Sequence, residues 1–339
     1  MPQTTDVVPV THSIVATQTL MDEVGSGYRV GHPIECRLLQ RGLNDTYLVR
    51  TMEERYILRL YRTAWRTPAD VFYELDMLVH LRGKGLAVST PLPRRDGTLA
   101  STLLCPEGVR LLVLFTYAQG DPPAWPQDEE FCRAYGRAAA AIHTGLDDFA
   151  SPHARFALDL HYLIDQPLHT IVPLLNGRAE DVSYLHRLAD RLRTYVGDVG
   201  PTLEYGACHG DFNSGNCSLA DGVLTFFDFD CCGPGWRVFD LATFAWNMKL
   251  AEQPEALSDA FLSGYAECRP IAAADLAALP YFVLIRHIWL LGLHTANGQD
   301  WGFGWLDRGY MDNAMKFLRD WEAEHLDGRP AQEAAPPTA

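Results

Sequence analysis

Three polar side chains in HGDFNSGNCSLADGVLTFFDFD, residues 209 to 230, could do chemistry together: Asp211, Asn216 five positions on, and Asp228 at the end of an apolar run. A carboxylate can orient a hydroxyl and accept its proton, while an amide oxygen and a second carboxylate are hard ligands for a magnesium ion on nucleotide phosphates. Those are the parts that phosphoryl transfer needs. Asp, Asn and Ser also gather in ordinary turns. What favours chemistry here is the ordered set of Asp, Asn at plus five, a hairpin and Asp-Phe-Asp. Cys208, His209, Cys217, Cys231 and Cys232 form a rival cluster of metal ligands, but without the spacing of zinc sites.

The surrounding sequence must supply elements to hold these groups. SLADGVLTFFDFD reads as a hairpin turning at Ala220-Asp221-Gly222, inserted in a helical region. Upstream, TYLVRT and RYILRLY read as two strands about the polar tip MEER. ADVFYELDMLVHLRGKG puts Val71, Leu75, Leu78 and Leu81 at helical spacing and stops at Gly83 and Gly85. A turn at Asp96-Gly97 and a buried strand in RLLVLFTY follow. From Asp128 onward the pattern becomes helical, through EEFCRAYGRAAAAIHTGL and the segments 183–197, 255–268, 273–293 and 309–325. Residues 1–25 and the Pro- and Ala-rich tail 326–339 are expected to lie outside the fold.

Composition limits the partners. With 43 acidic against 28 Lys and Arg residues the net charge is −15, which would repel a phosphate backbone, so nucleic acid is not expected. No uninterrupted apolar run reaches the roughly 18 residues of a membrane span, and the N-terminus lacks a secretory pattern. Eight cysteines without a CxxC pair fit reduced thiols and a cytoplasmic address. Oligomeric state is not legible.

Asp followed by Asn at plus five has the spacing of a kinase catalytic loop, and Asp228-Phe229-Asp230 stands where kinases carry Asp-Phe-Gly. HGDFNSGN with LTFFDFDCCGPGWRVFDLA resembles the aminoglycoside phosphotransferase and choline kinase superfamily over roughly residues 28–325. LNDTYLVRTMEERYILRLYR is similar to its stress response kinase and type II homoserine kinase-like branches. The resemblance implies an α+β, bilobal, protein-kinase-like fold with a β-rich nucleotide-binding N-lobe over residues 26–117 and a mainly helical catalytic and acceptor-binding C-lobe over 118–325. It implies Asp211 as catalytic base, Asn216 and Asp228 as Mg2+ ligands, and Asp240 as the buried acid bracing the loop. His209, just before the base, is read as packing and hydrogen-bonding to hold the loop in preference to acting as a general acid or ligand. Arg59 takes the place of the usual phosphate-holding lysine, with Glu74 as its helix partner. The backbone of Phe115 to Ala118, including Tyr117, would read the adenine edge.

Two departures stand out. Arginine for lysine keeps the charge but adds a planar fork. The loop RGLNDT has one glycine, Gly42, so Asn44 and Thr46 are the polar candidates for phosphate contact. Near the C-terminus, Trp289, His294, Trp301, Phe303 and Trp305 either pack helices or line an acceptor pocket, where aromatic faces with Asp300 and Asp307 would suit an ammonium group. The expected activity is a Mg2+-dependent ATP or GTP phosphotransferase acting on a small-molecule hydroxyl, of an amino alcohol or amino sugar. The rivals are a Ser/Thr protein kinase of the stress response type and a non-catalytic nucleotide-binding module. Only nine residues separate Asp230 from Asp240 and no activation-loop sequence is visible among them, which favours small acceptors without excluding proteins.

Overall fold

The computed structural model describes residues 8–63, 65–123 and 127–327, so most of the tail expected to lie outside the fold falls beyond the described residues. The chain divides into two compact units. The first comprises Met1–Pro122, Phe149–Arg155 and Cys217–Asp230; the second comprises Pro123–Asp148, Phe156–Asn216 and Cys231–Ala339.

The first unit is built on an antiparallel sheet of β1 (Glu35–Arg41), β2 (Asn44–Arg50), β3 (Arg55–Tyr61), β4 (Ser101–Cys105) and β5 (Gly108–Thr116), in the order β1-β2-β3-β5-β4. Strand alternation decides what each face carries. Leu58 and Leu60 enter the apolar core with Tyr47, Val49, Leu112 and Leu114, which leaves Arg59 and Tyr61 on the opposite face. Helix α1 (Thr17–Gly27) covers that core with Leu20 and Val24. Residues 17–25 were expected outside the fold; the helix has no side-chain cap and holds Gly25 and Gly27, so burial of its apolar side chains, not local signal, fixes it.

Helix α2 (Pro68–Gly83) starts as its sequence dictates. Thr67 and Asp70 close a reciprocal capping box, Pro68 takes the first turn, and Gly85 at φ 78° follows the end. The hairpin of β7 (Cys217–Ala220) and β8 (Val223–Phe226) turns at Asp221 and Gly222, both at positive φ (49° and 78°), the conformation of a type I′ turn. It belongs with the first unit and not with the helical one, because Phe226 bonds to Ala87 and Ser89, and Leu219 to Asp121, through the main chain.

The second unit is mainly helical: α3 (Glu129–Gly145), α4 (Gln166–Leu174), α5 (Ala179–Val199), α6 (Val238–Leu250), α7 (Glu255–Cys268), α8 (Ala273–Ala296), the short α9 (Gly298–Trp301) and α10 (Arg308–Trp321). A two-stranded pair, β6 (Tyr205–Cys208) and β9 (Gly233–Trp236), lies among them. By length and composition α8 could cross a membrane, yet 61% of its apolar window is buried inside the fold, with Phe282, Leu284, Ile285 and Ile288 in the core. Helices α3 and α7 approach so closely that a Cβ on Gly136 or Gly264 would sit 2.0 Å from the carbonyl of Phe261 or Arg133. That contact sets the spacing of two side chains, His143 and Tyr265, that brace the loop described next.

Candidate active site

In the second unit, β6 runs into the loop His209–Asn213 and a 3-10 turn, Ser214–Asn216. Asp240, fully buried on α6, accepts from the main-chain N–H of His209 (2.7 Å) and of Gly210 (2.8 Å). Its Oδ2 also meets His143 Nε2 at 3.0 Å, and His143 Nδ1 meets the Tyr265 hydroxyl at 2.7 Å. Gly210 has φ 81°, and a Cβ there would lie 2.1 Å from the Cys231 carbonyl, so this turn admits only glycine. His209 is buried and its Nδ1 accepts from the N–H of Asp211 (3.2 Å), which leaves the ring proton on Nε2.

Burial works against the Asp240 charge, but the His143 hydrogen bond and the His209 N–H hold its carboxyl below the usual aspartate range. A depressed folded-state value means that this stabilisation is complete above the unfolded-chain value of about 3.9 and is lost as pH falls through the folded one. Asp240→Asn would set an amide N–H2 against N–H donors, at an expected cost of about 3 kcal/mol near neutrality. Thermal melts from pH 7 down to pH 3 should show the gap between parent and variant shrinking below about pH 4. A gap independent of pH would deny the charge its role.

Asp211 is held at several points. Its Oδ1 accepts from Asn213 Nδ2 (3.0 Å) and Arg286 Nη2 (2.5 Å), and its Oδ2 accepts from Asn216 Nδ2 (3.0 Å). The same Asn216 nitrogen donates to the Asp211 main-chain oxygen (2.9 Å), so Oδ1 of Asn216 is the atom left for a ligand. Arg286, on α8, was not anticipated. Its only trace in the sequence is a lone cation in the apolar run FVLIRHIWLL, and its partner is 75 positions away.

The first unit carries the other polar group. Arg59 donates through Nη1 to Glu74 Oε1 (2.8 Å) and through Nη2 to Asp228 Oδ1 (2.8 Å), while the Tyr61 hydroxyl donates to Glu74 Oε2 (2.9 Å). Burial works against the Arg59 charge, and the flanking Asp228 and Glu74 carboxylates keep its pKa above the ordinary value. Burial also pushes the Glu74 carboxyl up to about 7, with Arg59 pulling the other way. Asp228 sits at φ 63° with its side chain 46% exposed, a backbone that non-glycine residues seldom adopt and that turns the carboxylate outward. Asp230, two residues on, is buried. It accepts from Trp65 Nε1 (2.5 Å) and lies 3.4 Å from Arg66 Nε. Burial opposes its charge, but Arg66 and Arg59 hold its carboxyl below the usual range.

Thr46 pairs directly with Arg59 across β2 and β3, on the same face. Asn44 is buried and accepts from the Arg62 N–H (3.3 Å), so it fixes the strand end. Phe115 lies within β5, its ring 5.4 Å below the Arg59 guanidinium; Tyr117, under Arg55 at 4.2 Å, and Ala118 lie past the strand.

Of the C-terminal aromatics, His294 meets Trp301 (6.2 Å between centroids), Trp305 (5.0 Å) and Tyr310 (5.8 Å). Burial and the Arg286 charge lower the His294 pKa to about 4, so the ring is neutral. Trp289 stands apart from this cluster, buried against Phe239 and beneath Arg286. Asp307 caps α10 by accepting from the Tyr310 N–H (2.8 Å). Among the described residues no three His, Cys, Asp or Glu side chains are grouped to hold a metal, and none of the cysteines is in a disulfide.

Residues 35–274 match the phosphotransferase enzyme family. An uncharacterized protein of Deinococcus radiodurans is 41% identical over 322 residues, covering 94% of this chain and 93% of its own. Among solved structures, a microcompartment-associated aminopropanol kinase is 25% identical with a TM-score of 0.74, over 94% of this chain and all of its own. The amicoumacin kinase hAmiN, solved with AMP-PNP, Ca2+ and Ami, is 21% identical with a TM-score of 0.74, over 95% of this chain and 96% of its own. The α+β fold expected from the motifs, a β-sheet unit and a mainly helical unit, is the fold of these kinases.

Proposed function

Because the chain belongs to the phosphotransferase enzyme family, we propose that it moves the γ-phosphoryl group of ATP or GTP, with Mg2+, to a hydroxyl of a small amine-bearing molecule. The observation that carries this reading is Asp211: a partly exposed carboxylate, held by three side-chain N–H donors on a loop bolted down through Asp240. Asp211 orients the acceptor hydroxyl and takes its proton as the phosphorus–oxygen bond forms. Arg59, steadied by Glu74, holds phosphate oxygens, and Tyr117 and Ala118 offer main-chain groups to the base. Asn216 Oδ1 and the Asp228 carboxylate are donors of the hard-oxygen type that Mg2+ selects, and they are the residues that would hold it. Held there, the ion would supply positive charge to offset that of the phosphates. The rate gain on this reading comes from positioning and preset charge.

The amine rests on two supports. The His294, Trp301, Trp305 and Tyr310 rings form an aromatic cluster of the kind that takes a cation, and the aminopropanol kinase that shares the fold acts on an amino alcohol by its name. A need for nucleotide and the lack of disulfides among the described cysteines suit a cytoplasmic setting.

An ADP-release assay across amino alcohols, amino sugars, amine-free alcohols of matched length and a generic protein tests this. Amine-bearing acceptors should exceed their amine-free partners in kcat/KM by about tenfold, the effect of one cation–π or ion-pair contact. Equal rates with both would remove the amine from the proposal.

A further inference from the structure

Helix α8 is apolar along most of its middle, and one guanidinium interrupts it. The Arg286 side chain is 3% exposed, and a charge so buried is costly unless it is well paired. Nη2 donates to Asp211 Oδ1 at 2.5 Å, and Nη1 approaches the Gly210 carbonyl at 3.5 Å. The guanidinium carbon lies 5.0 Å from the centroid of Trp246 and 4.7 Å from that of Trp289. The support continues outward: Trp246 Nε1 donates to His287 Nδ1 (3.1 Å), and that ring stacks on Phe317 at 4.3 Å. Burial lowers the His287 pKa to about 3, so this prop carries no charge. Arg286 Nε, by contrast, is buried with no hydrogen-bond partner among the described residues. An unsatisfied buried donor is destabilising, which asks for a reason other than stability.

Counting lone pairs on Asp211 supplies one. An ionised carboxylate has about four acceptor positions. Arg286 and Asn213 fill both on Oδ1, and Asn216 fills one on Oδ2. We propose that Arg286 is the positioning residue of Asp211: by occupying Oδ1 it fixes the carboxylate plane, so that the open position on Oδ2 receives the acceptor hydroxyl. This rests on the reading of Asp211 given above. The tryptophan pair sets the plane of the guanidinium and hence that of the carboxylate.

The test is steady-state kinetics of Arg286→Ala, with and without added guanidinium ion and with sodium chloride at matched ionic strength. A misplaced catalytic group costs on the order of 100-fold, so kcat should fall by about that factor while the nucleotide KM stays within about twofold. Millimolar guanidinium should then restore at least about tenfold of the loss, which a general structural defect would not allow. Arg286→Met, which fills the space without charge, gives the same split of kcat from KM should the alanine variant not fold. A kcat within about threefold of the parent in either folded variant, or a loss in the alanine variant that guanidinium does not lift, overturns the proposal. Asp211→Asn run alongside separates the two levels. If that variant still turns over, the reading of Asp211 fails; if it is inactive while Arg286→Ala is unimpaired, only the role of Arg286 does.

Discussion

Asp211→Asn is expected to leave nucleotide binding within about threefold of the parent while cutting acceptor phosphorylation by about a thousandfold or more, the range of a lost general base. The substitution is nearly isosteric, and its oxygen can still accept from Arg286 and Asn213. At the other position it would present an N–H2 group to the Asn216 amide nitrogen, donor against donor, where the acceptor hydroxyl is proposed to bind. Loss should therefore appear in kcat and not in nucleotide affinity. Calorimetric titration of the nucleotide beside steady-state rates would show this, and turnover within about tenfold of the parent would end the assignment.

Asp228→Asn should be as damaging by another route. Asparagine accepts the left-handed backbone as readily as aspartate does, so φ 63° adds no strain and the change isolates the charge. Arg59 keeps Glu74 as a partner, and the buried end of that pair should persist. What goes is the anionic oxygen proposed to hold Mg2+. The magnesium concentration for half-maximal rate should rise by about tenfold or more, and the rate at saturation should fall by about 100- to 1000-fold, as for loss of a preset charge in such a site. An unchanged magnesium dependence would show that Asp228 does not hold the ion.

Local patterns made much of this chain legible. Thr67, Pro68 and Asp70 start α2 by adjacent interactions, Asp221-Gly222 turns the hairpin, and the spacing of Asp211 and Asn216 matches a direct bond between them. The features that escaped depend on distant partners. Helix α1 has weak signals of its own and is held by the sheet it covers. Strand β9 is GPGW, two glycines and a proline with little strand signal of their own, and it forms by pairing with β6. The burial of Asp230 against Trp65 and Arg66 depends on side chains more than 160 positions earlier. Arg286 is the plainest case, a cation in an apolar helix whose partner, Asp211, lies 75 positions earlier.

The most direct measurement follows the label from γ-32P-ATP in the presence of Mg2+ and an amino alcohol. Labelled phosphate ester on the small molecule, formed in step with ADP and absent with Asp211→Asn, is the predicted result. Label found only on protein or as inorganic phosphate, across the whole acceptor panel, would contradict it.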